Sequence, residues 1–235
     1  MFASLTLAIF MPQATLKIED TKLGTGDTVA PYDVIEAQYT GTLLTGKEFD
    51  SNVKSGKPLR FQVGLGQVIK GWDQGFVGMK VDGERTLTIP PDLGYGAQGA
   101  GEAIPPNSTL KFTVKLLRIL PRAKITVITP GTGEPIKIGQ YIECKLSIKA
   151  SNGKEIADPT KDSRLQVSRR MLGWVNQMLF GIKTGEKRKV IINYQMAFGE
   201  KGVPPTDQEG KKAGSEIPPK SDLTIEIFAS KITNE

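Results

Sequence analysis

The 235-residue sequence predicts an α+β chain of two tandem units, each a curved antiparallel β-sheet wrapped around one short α-helix. Three observations carry this prediction. A series of short motifs recurs once, about 105 residues further along the chain. Within the first copy, apolar residues alternate with polar ones over strand-length runs, the pattern of half-buried strands. One segment breaks that pattern and has the spacing of a single apolar helical face, so the sheet has one short helix to pack against.

Residues 1–15 are an apolar lead. Its first following basic residue is Lys17, so the positive n-region of a secretory signal is missing. A signal whose start lies upstream and a disordered lead both stay open, and with them the compartment, cytoplasmic or exported. The first unit is assigned to residues 16–120. Ile35, Ala37 and Tyr39 mark one strand, Leu59, Phe61 and Val63 a second, and Leu110, Phe112, Val114 and Leu116 a third. Ile69, Trp72, Phe76 and Met79 fall at i, i+3, i+7 and i+10 and mark the helix. The repeat then carries Gly24-Thr25-Gly26-Asp27 onto Gly131-Thr132-Gly133-Glu134, and Gly46-Lys47-Glu48 onto Gly153-Lys154-Glu155. Gly78 and Arg85 match Gly181 and Arg188, and Ile104-Pro105-Pro106 matches Ile217-Pro218-Pro219. The second unit is therefore assigned to residues 121–235, with the join near Pro121-Arg122 and, since that join is short, restricted motion between the units.

Composition narrows the chemistry. There is no histidine, which excludes Ser-His-Asp and Cys-His catalysis and histidine-ligated zinc. The single cysteine, Cys144, cannot make an internal disulfide or a cysteine zinc site. No metal and no cofactor is expected. No run of 18 apolar residues predicts a spanning helix. The net charge of +6 lies wholly in residues 121–235, which hold 19 basic and 13 acidic side chains. Nucleic acid, anionic lipid, acidic clients and a merely solubilising lysine-rich surface all fit such a half. No basic stretch is interleaved with aromatics as in a single-strand platform, so nucleic acid is not the expected partner. The Lys187-Arg188-Lys189 run reads as a solvated strand end. Gly94, Gly96 and Gly99 satisfy G-x-G-x-x-G, but Ile104-Pro105-Pro106 follows instead of a long helix, against a dinucleotide site.

Tyr39, Phe49, Phe61, Trp72, Tyr95 and Phe112 lie on separate elements of the first unit. They fit a hydrophobic core as well as a concave site. Asp50 is open in the same way, as a catalytic carboxylate or as a turn residue bonding its local backbone.

Ordered blocks of the first unit break this tie. Tyr39-Thr40-Gly41, Gly46-Lys47-Glu48-Phe49-Asp50-Ser51, Val68-Ile69-Lys70-Gly71-Trp72, Ile89-Pro90-Pro91, Tyr95-Gly96 and Ile104-Pro105-Pro106-Asn107 resemble the FKBP-type peptidyl-prolyl cis-trans isomerases over about residues 17–120. The resemblance implies two tandem FKBP-like units, the second degenerate, and a protein-folding enzyme that accelerates rotation of X–Pro bonds. It implies a pocket with Trp72 as floor, Tyr39, Phe49, Phe61 and Phe112 as walls, and Val68, Ile69 and Ile104 at the rim. It further implies that the Ile69 N–H and the Tyr95 hydroxyl hold substrate carbonyls while Asp50 orients the site. Proline-containing polypeptide clients and rapamycin-class macrolides are the partners so implied, and a monomer is expected. Leu59, Gln67, Ser55 and Ala100 depart from residues common in the family, which bears on macrolide affinity more than on activity.

Across the repeat, Tyr39 falls on Leu146, Phe49 on Ile156, Asp50 on Ala157, Phe61 on Leu165, Tyr95 on Phe198 and Phe112 on Ile225. The helical face is kept as Leu172, Val175, Leu179 and Ile182. Trp174 stands one position before the Trp72 equivalent, which a one-residue shift of the helix start would restore. Eighteen residues separate Phe198 from Ile217, against eight between Tyr95 and Ile104. The expectation is an isomerase whose second unit is inactive and binds clients. The alternative is a non-catalytic chaperone or scaffold using both units.

Overall fold

The computed structural model describes residues 15–157, 159–169, 171, 173–202 and 217–234. The apolar lead through residue 14, Leu172 and most of the long segment before Ile217 lie outside the described residues.

In the first unit, β1 (Lys17–Lys22), β2 (Val34–Leu43), β3 (Glu48–Ser51), β4 (Leu59–Gln62), β5 (Glu84–Ile89) and β6 (Leu110–Ile119) make one antiparallel sheet in the order β1-β5-β6-β2-β3, with β4 also on β2. The helix α1 (Lys70–Gly75) packs against β5. The predicted face is turned inward: Trp72, Phe76 and Met79 are buried and Ile69 packs against the same core. Two glycines let the helix approach the sheet closely. A Cβ on Gly71 would sit 2.5 Å from Ile89 Cγ2, and one on Gly75 2.7 Å from Leu87 Cδ1.

The second unit repeats this plan with β7 (Lys124–Thr129), β8 (Tyr141–Ala150), β9 (Glu155–Ala157), β10 (Asp162–Gln166), α2 (Gly173–Leu179), β11 (Lys187–Ile192) and β12 (Leu223–Thr233). Its order is β10-β8-β12-β11-β7, with β9 also on β8, which is the first sheet again under the repeat. The sequence offsets coincide with the strand registers. Gly41 pairs with Phe112 and Asp50, and their counterpart Ile148 pairs with Ile225 and Ala157. Ile35 pairs with Phe61, and Ile142 with Leu165.

A buried arginine closes each helix. Arg85 Nη1 donates to the Gly75 carbonyl at 2.6 Å and its Nε to Asp20. Arg188 does the same for the Phe180 carbonyl at 2.8 Å, with Glu186 as its carboxylate. A cation against the last carbonyls of a helix satisfies acceptors that have no partner within it. This corrects the reading of Lys187-Arg188-Lys189 as a solvated strand end, since Arg188 is buried. It also fixes the helix register: Gly75 and Val77 correspond to Met178 and Phe180, with no shift of the helix start. Trp174 therefore takes the place of Gly71, and Val175 that of Trp72.

The units touch around the join. Tyr32 stacks on Phe180 with ring centroids 3.8 Å apart, and the Asn176 side-chain amide donates to Gln62 Oε1 at 3.4 Å. Arg122 makes a two-pronged pair with buried Asp33, both contacts 2.6 Å. Val34, on β2, packs into the hydrophobic core of the second unit.

Candidate functional site

One face of the first unit carries a cavity of about 240 Å³ between β2, β3, β4, β6 and the start of α1. That is below the ~300–1,000 Å³ of drug-sized sites, a scale suited to one side chain and its flanking amides. Trp72 lies at its base. The Tyr39 ring meets Trp72 edge-on at 5.0 Å, Phe112 meets it at 5.2 Å, and Phe49 meets Phe112 at 5.5 Å, each close to perpendicular. Edge-to-face packing of this kind holds rings in fixed orientations. The walls come together because residue 41 is glycine. A Cβ there would lie 2.7 Å from both Phe49 and Phe112.

The polar groups are few. Asp50 on β3 accepts the Tyr39 hydroxyl at 2.6 Å. Its position is set by Asn52, whose side chain accepts the Tyr39 N–H at 2.8 Å and donates to the Ala37 carbonyl at 3.0 Å, tying the end of β3 to β2. Asp50 is thus a strand residue pointing its carboxylate at Tyr39, not a turn residue bonding local backbone. Burial, then the hydrogen bond to Asp50, pushes the Tyr39 phenol well above its usual range. Burial, then the Asp50 charge, raises that of Tyr95 as well. Both phenols are therefore hydrogen-bond donors throughout the neutral range.

Ile69 caps α1 in an extended conformation, φ −60° and ψ 149°, and no protein acceptor meets its N–H among the described residues. The loop ahead of it is braced twice. Asp73 accepts the N–H groups of Gly64 and Gly66 at 2.8 and 2.7 Å, and Gln67 Oε1 accepts that of Gln62 at 2.9 Å. The indole N–H of Trp72 is buried without a partner. Among the described residues no three His, Cys, Asp or Glu side chains gather as a metal cluster.

Tyr39, Phe49, Asp50, Val68, Ile69, Trp72, Tyr95 and Phe112 line this cavity. Phe61 and Ile104 do not. Phe61 is buried behind Trp72 and against Phe76, and Ile104 is buried under the loop it closes by paired backbone bonds with Ala100. Leu59 and Gln67 line the cavity in their stead. The signal for Leu59 was present, since it shares the inward face of β4 with Phe61.

A profile of the FKBP-type peptidyl-prolyl cis-trans isomerases matches residues 26–117 and 133–229. The chain belongs to this family. Both sheets are thus FKBP units, and the protein is an FKBP-type isomerase, of a family that binds proline-containing substrates and FK506-type ligands. The FK506-binding protein of Neisseria meningitidis serogroup A is 50% identical over 105 residues, 45% of this chain and 96% of that protein. FK506-binding protein 2 of Dictyostelium discoideum is 59% identical over 87 residues, 37% of this chain and 65% of that protein. FkpA from Escherichia coli is similar at a TM-score of 0.42 with 42% identity, covering 45% of this chain and 48% of the solved one. Among the described residues no helix is long and apolar enough to cross a membrane.

The corresponding face of the second FKBP unit has different chemistry. Ile148 replaces Gly41 and packs against the core between Ile225 and the strand bearing Ile156 and Ala157. Phe198, which has no hydroxyl, stands for Tyr95 and meets Trp174 at 6.1 Å.

Proposed function

We propose that X–Pro rotation is catalysed in the first unit, residues 16–120, at the cavity of Trp72, Tyr39 and Asp50, and that the second unit, residues 121–235, is an inactive client-binding module. The observation that carries this reading is the convergence of eight expected residues on one aromatic cavity, while the matching face of the second unit holds Leu146, Ile148, Ala157 and Phe198.

An X–Pro amide crosses a barrier of roughly 18–20 kcal/mol and turns over unaided in tens to hundreds of seconds. Rotation breaks amide resonance, so the twisted state carries less charge on oxygen than the planar one. An apolar cavity penalises the planar amide more, and this difference is what accelerates the reaction. The proline ring rests on Trp72 between Tyr39, Phe49 and Phe112. The Ile69 N–H and the Tyr95 hydroxyl hold the flanking carbonyls, so the chain on one side of the bond is fixed while the other turns. The Asp50 carboxylate holds the Tyr39 hydroxyl and favours the carbonyl carbon of the twisted amide. No nucleophile or general base is required, which suits a chain without histidine. Rapamycin-class macrolides occupy the same cavity as competitors.

The test is X–Pro exchange in a short peptide, measured by NMR on the full chain. Tyr95→Phe removes one neutral hydrogen bond and is expected to lower kcat/KM about two- to tenfold; Asp50→Ala, which removes a charged acceptor, about 10- to 100-fold. Phe198→Ala in the second unit is expected to stay within about twofold of wild type. Exchange that survives Asp50→Ala and Tyr95→Phe but falls with Phe198→Ala would place catalysis in the wrong unit.

A further inference from the structure

The second unit reaches the mouth of the cavity. Gln67 lines the cavity, and its side-chain amide donates to the backbone carbonyl of Arg169 at 3.0 Å. The Arg169 side chain lies along the neighbouring Gly66. A Cβ on that glycine would be 3.0 Å from Nη1, 3.3 Å from Cζ and 3.4 Å from Cδ. A glycine at this point of the rim leaves the space into which the arginine of the other unit extends.

Among the described residues this cation has no counter-charge. Arg169 is exposed, and no ion pair engages it among the described residues. Asp73 of α1, which braces the rim loop, has both oxygens on the N–H groups of Gly64 and Gly66. Asp50, inside the cavity, is bonded to the Tyr39 hydroxyl. An arginine that is permanently charged and weakly hydrated suits recognition of a carboxylate.

We infer that Arg169 of the second unit is a specificity-determining residue for the isomerase site of the first, favouring clients with an acidic residue beside the proline. The inference rests on the cavity being the site of turnover. The second unit then selects substrate at the cavity's own rim, through charge. A carboxylate next to the bound proline is attracted to Arg169 and an ammonium there is repelled. An exposed pair of this kind changes affinity by about two- to fivefold, and salt screens it.

The experiment uses dye-labelled tetrapeptides that differ only in carrying Glu, Gln or Lys beside the proline. Affinity is read by anisotropy and exchange by NMR, on the full chain and on Arg169→Gln and Arg169→Glu, at about 20 mM and about 0.5 M salt. The readout is the Glu-to-Lys ratio, in which a general loss from either substitution cancels. The expected ratio is about two- to fivefold for wild type at low salt. It falls to near one in Arg169→Gln and at high salt, and inverts in Arg169→Glu. A ratio that is the same in all three proteins overturns the inference. Loss of the cavity reading is distinct: peptides then bind with the charge-dependent ratio while Asp50→Ala leaves exchange untouched.

Discussion

A single methyl group at Gly41 is expected to close the cavity from within. The backbone of Gly41 is ordinary extended strand, so Gly41→Ala adds no conformational strain, only atoms. The new Cβ would stand 2.7 Å from Phe112 Cε1 and from Cε2 and Cζ of Phe49. Carbon atoms pack best at about 3.5–4.0 Å, so one or both rings must retreat by about 1 Å. Phe112 is buried against Trp72, whereas Phe49 is only half-buried, so Phe49 moves and the wall it forms moves with it. Overpacking of this kind costs about 1–3 kcal/mol of stability. The effect on rate is larger, since a misplacement of about 1 Å at a positioned site lowers turnover by about 100-fold. The assay is NMR exchange on an X–Pro peptide together with a urea unfolding curve of the same sample. A Gly41→Ala protein with wild-type kcat/KM would refute the reasoning, because it would show that the two rings are not the walls of the reacting site.

Other consequences follow from the titrating groups. Glu36 is held below its ordinary value of 4.5 by its hydrogen bonds to Arg118 first and Arg60 second. Its stabilisation is therefore present above about pH 4.5 and lost as pH falls below it, so urea midpoints should drop more steeply between pH 5 and 3 in wild type than in Glu36→Gln. An identical pH slope in the two proteins would exclude this pair as a source of acid lability. Because the Tyr39 and Tyr95 phenols are both raised above their ordinary value of 10.0, exchange catalysis should hold level from pH 8 to 10. A decline centred near pH 9 would mean that a phenol needed as a donor is not raised, or that another group controls the rate. Tyr39→Phe removes the 2.6 Å bond to Asp50 and is expected to lower kcat/KM by about tenfold while leaving the fold intact, as read by near-UV circular dichroism.

Much of this architecture was legible in the residues. The offsets of the repeat coincide with strand registers because indels fall in loops while paired strands keep their spacing; Asp50 on Ala157 and Phe61 on Leu165 are examples. The helical face of Trp72, Phe76 and Met79 was plain because periodicity reports which side is buried. Periodicity does not report what lies on that side, so it does not separate Phe61 from Leu59. Both face inward from β4, but Phe61 meets the core behind Trp72 and Leu59 the cavity. Arg188 was misread for a related reason. A basic run suggests solvent, and it is the carbonyls of Met178 and Phe180, together with the Glu186 carboxylate, that make its burial favourable. Gln67 was noticed as a departure from family habit, yet its tie to Arg169 crosses 102 residues of chain and has no local signature.

Val34 and Asp33 bear on what the boundary near Pro121 means. The strand that leads into the cavity face begins in the other unit's hydrophobic interior, and the carboxylate beside it is neutralised from across the join. Cutting the chain at that boundary would bare an apolar side chain and take the arginine partner from the Asp33 carboxylate. The repeat has here tied its two copies together through their interiors, so a separated first half would be tested without side-chain contacts that the whole chain supplies.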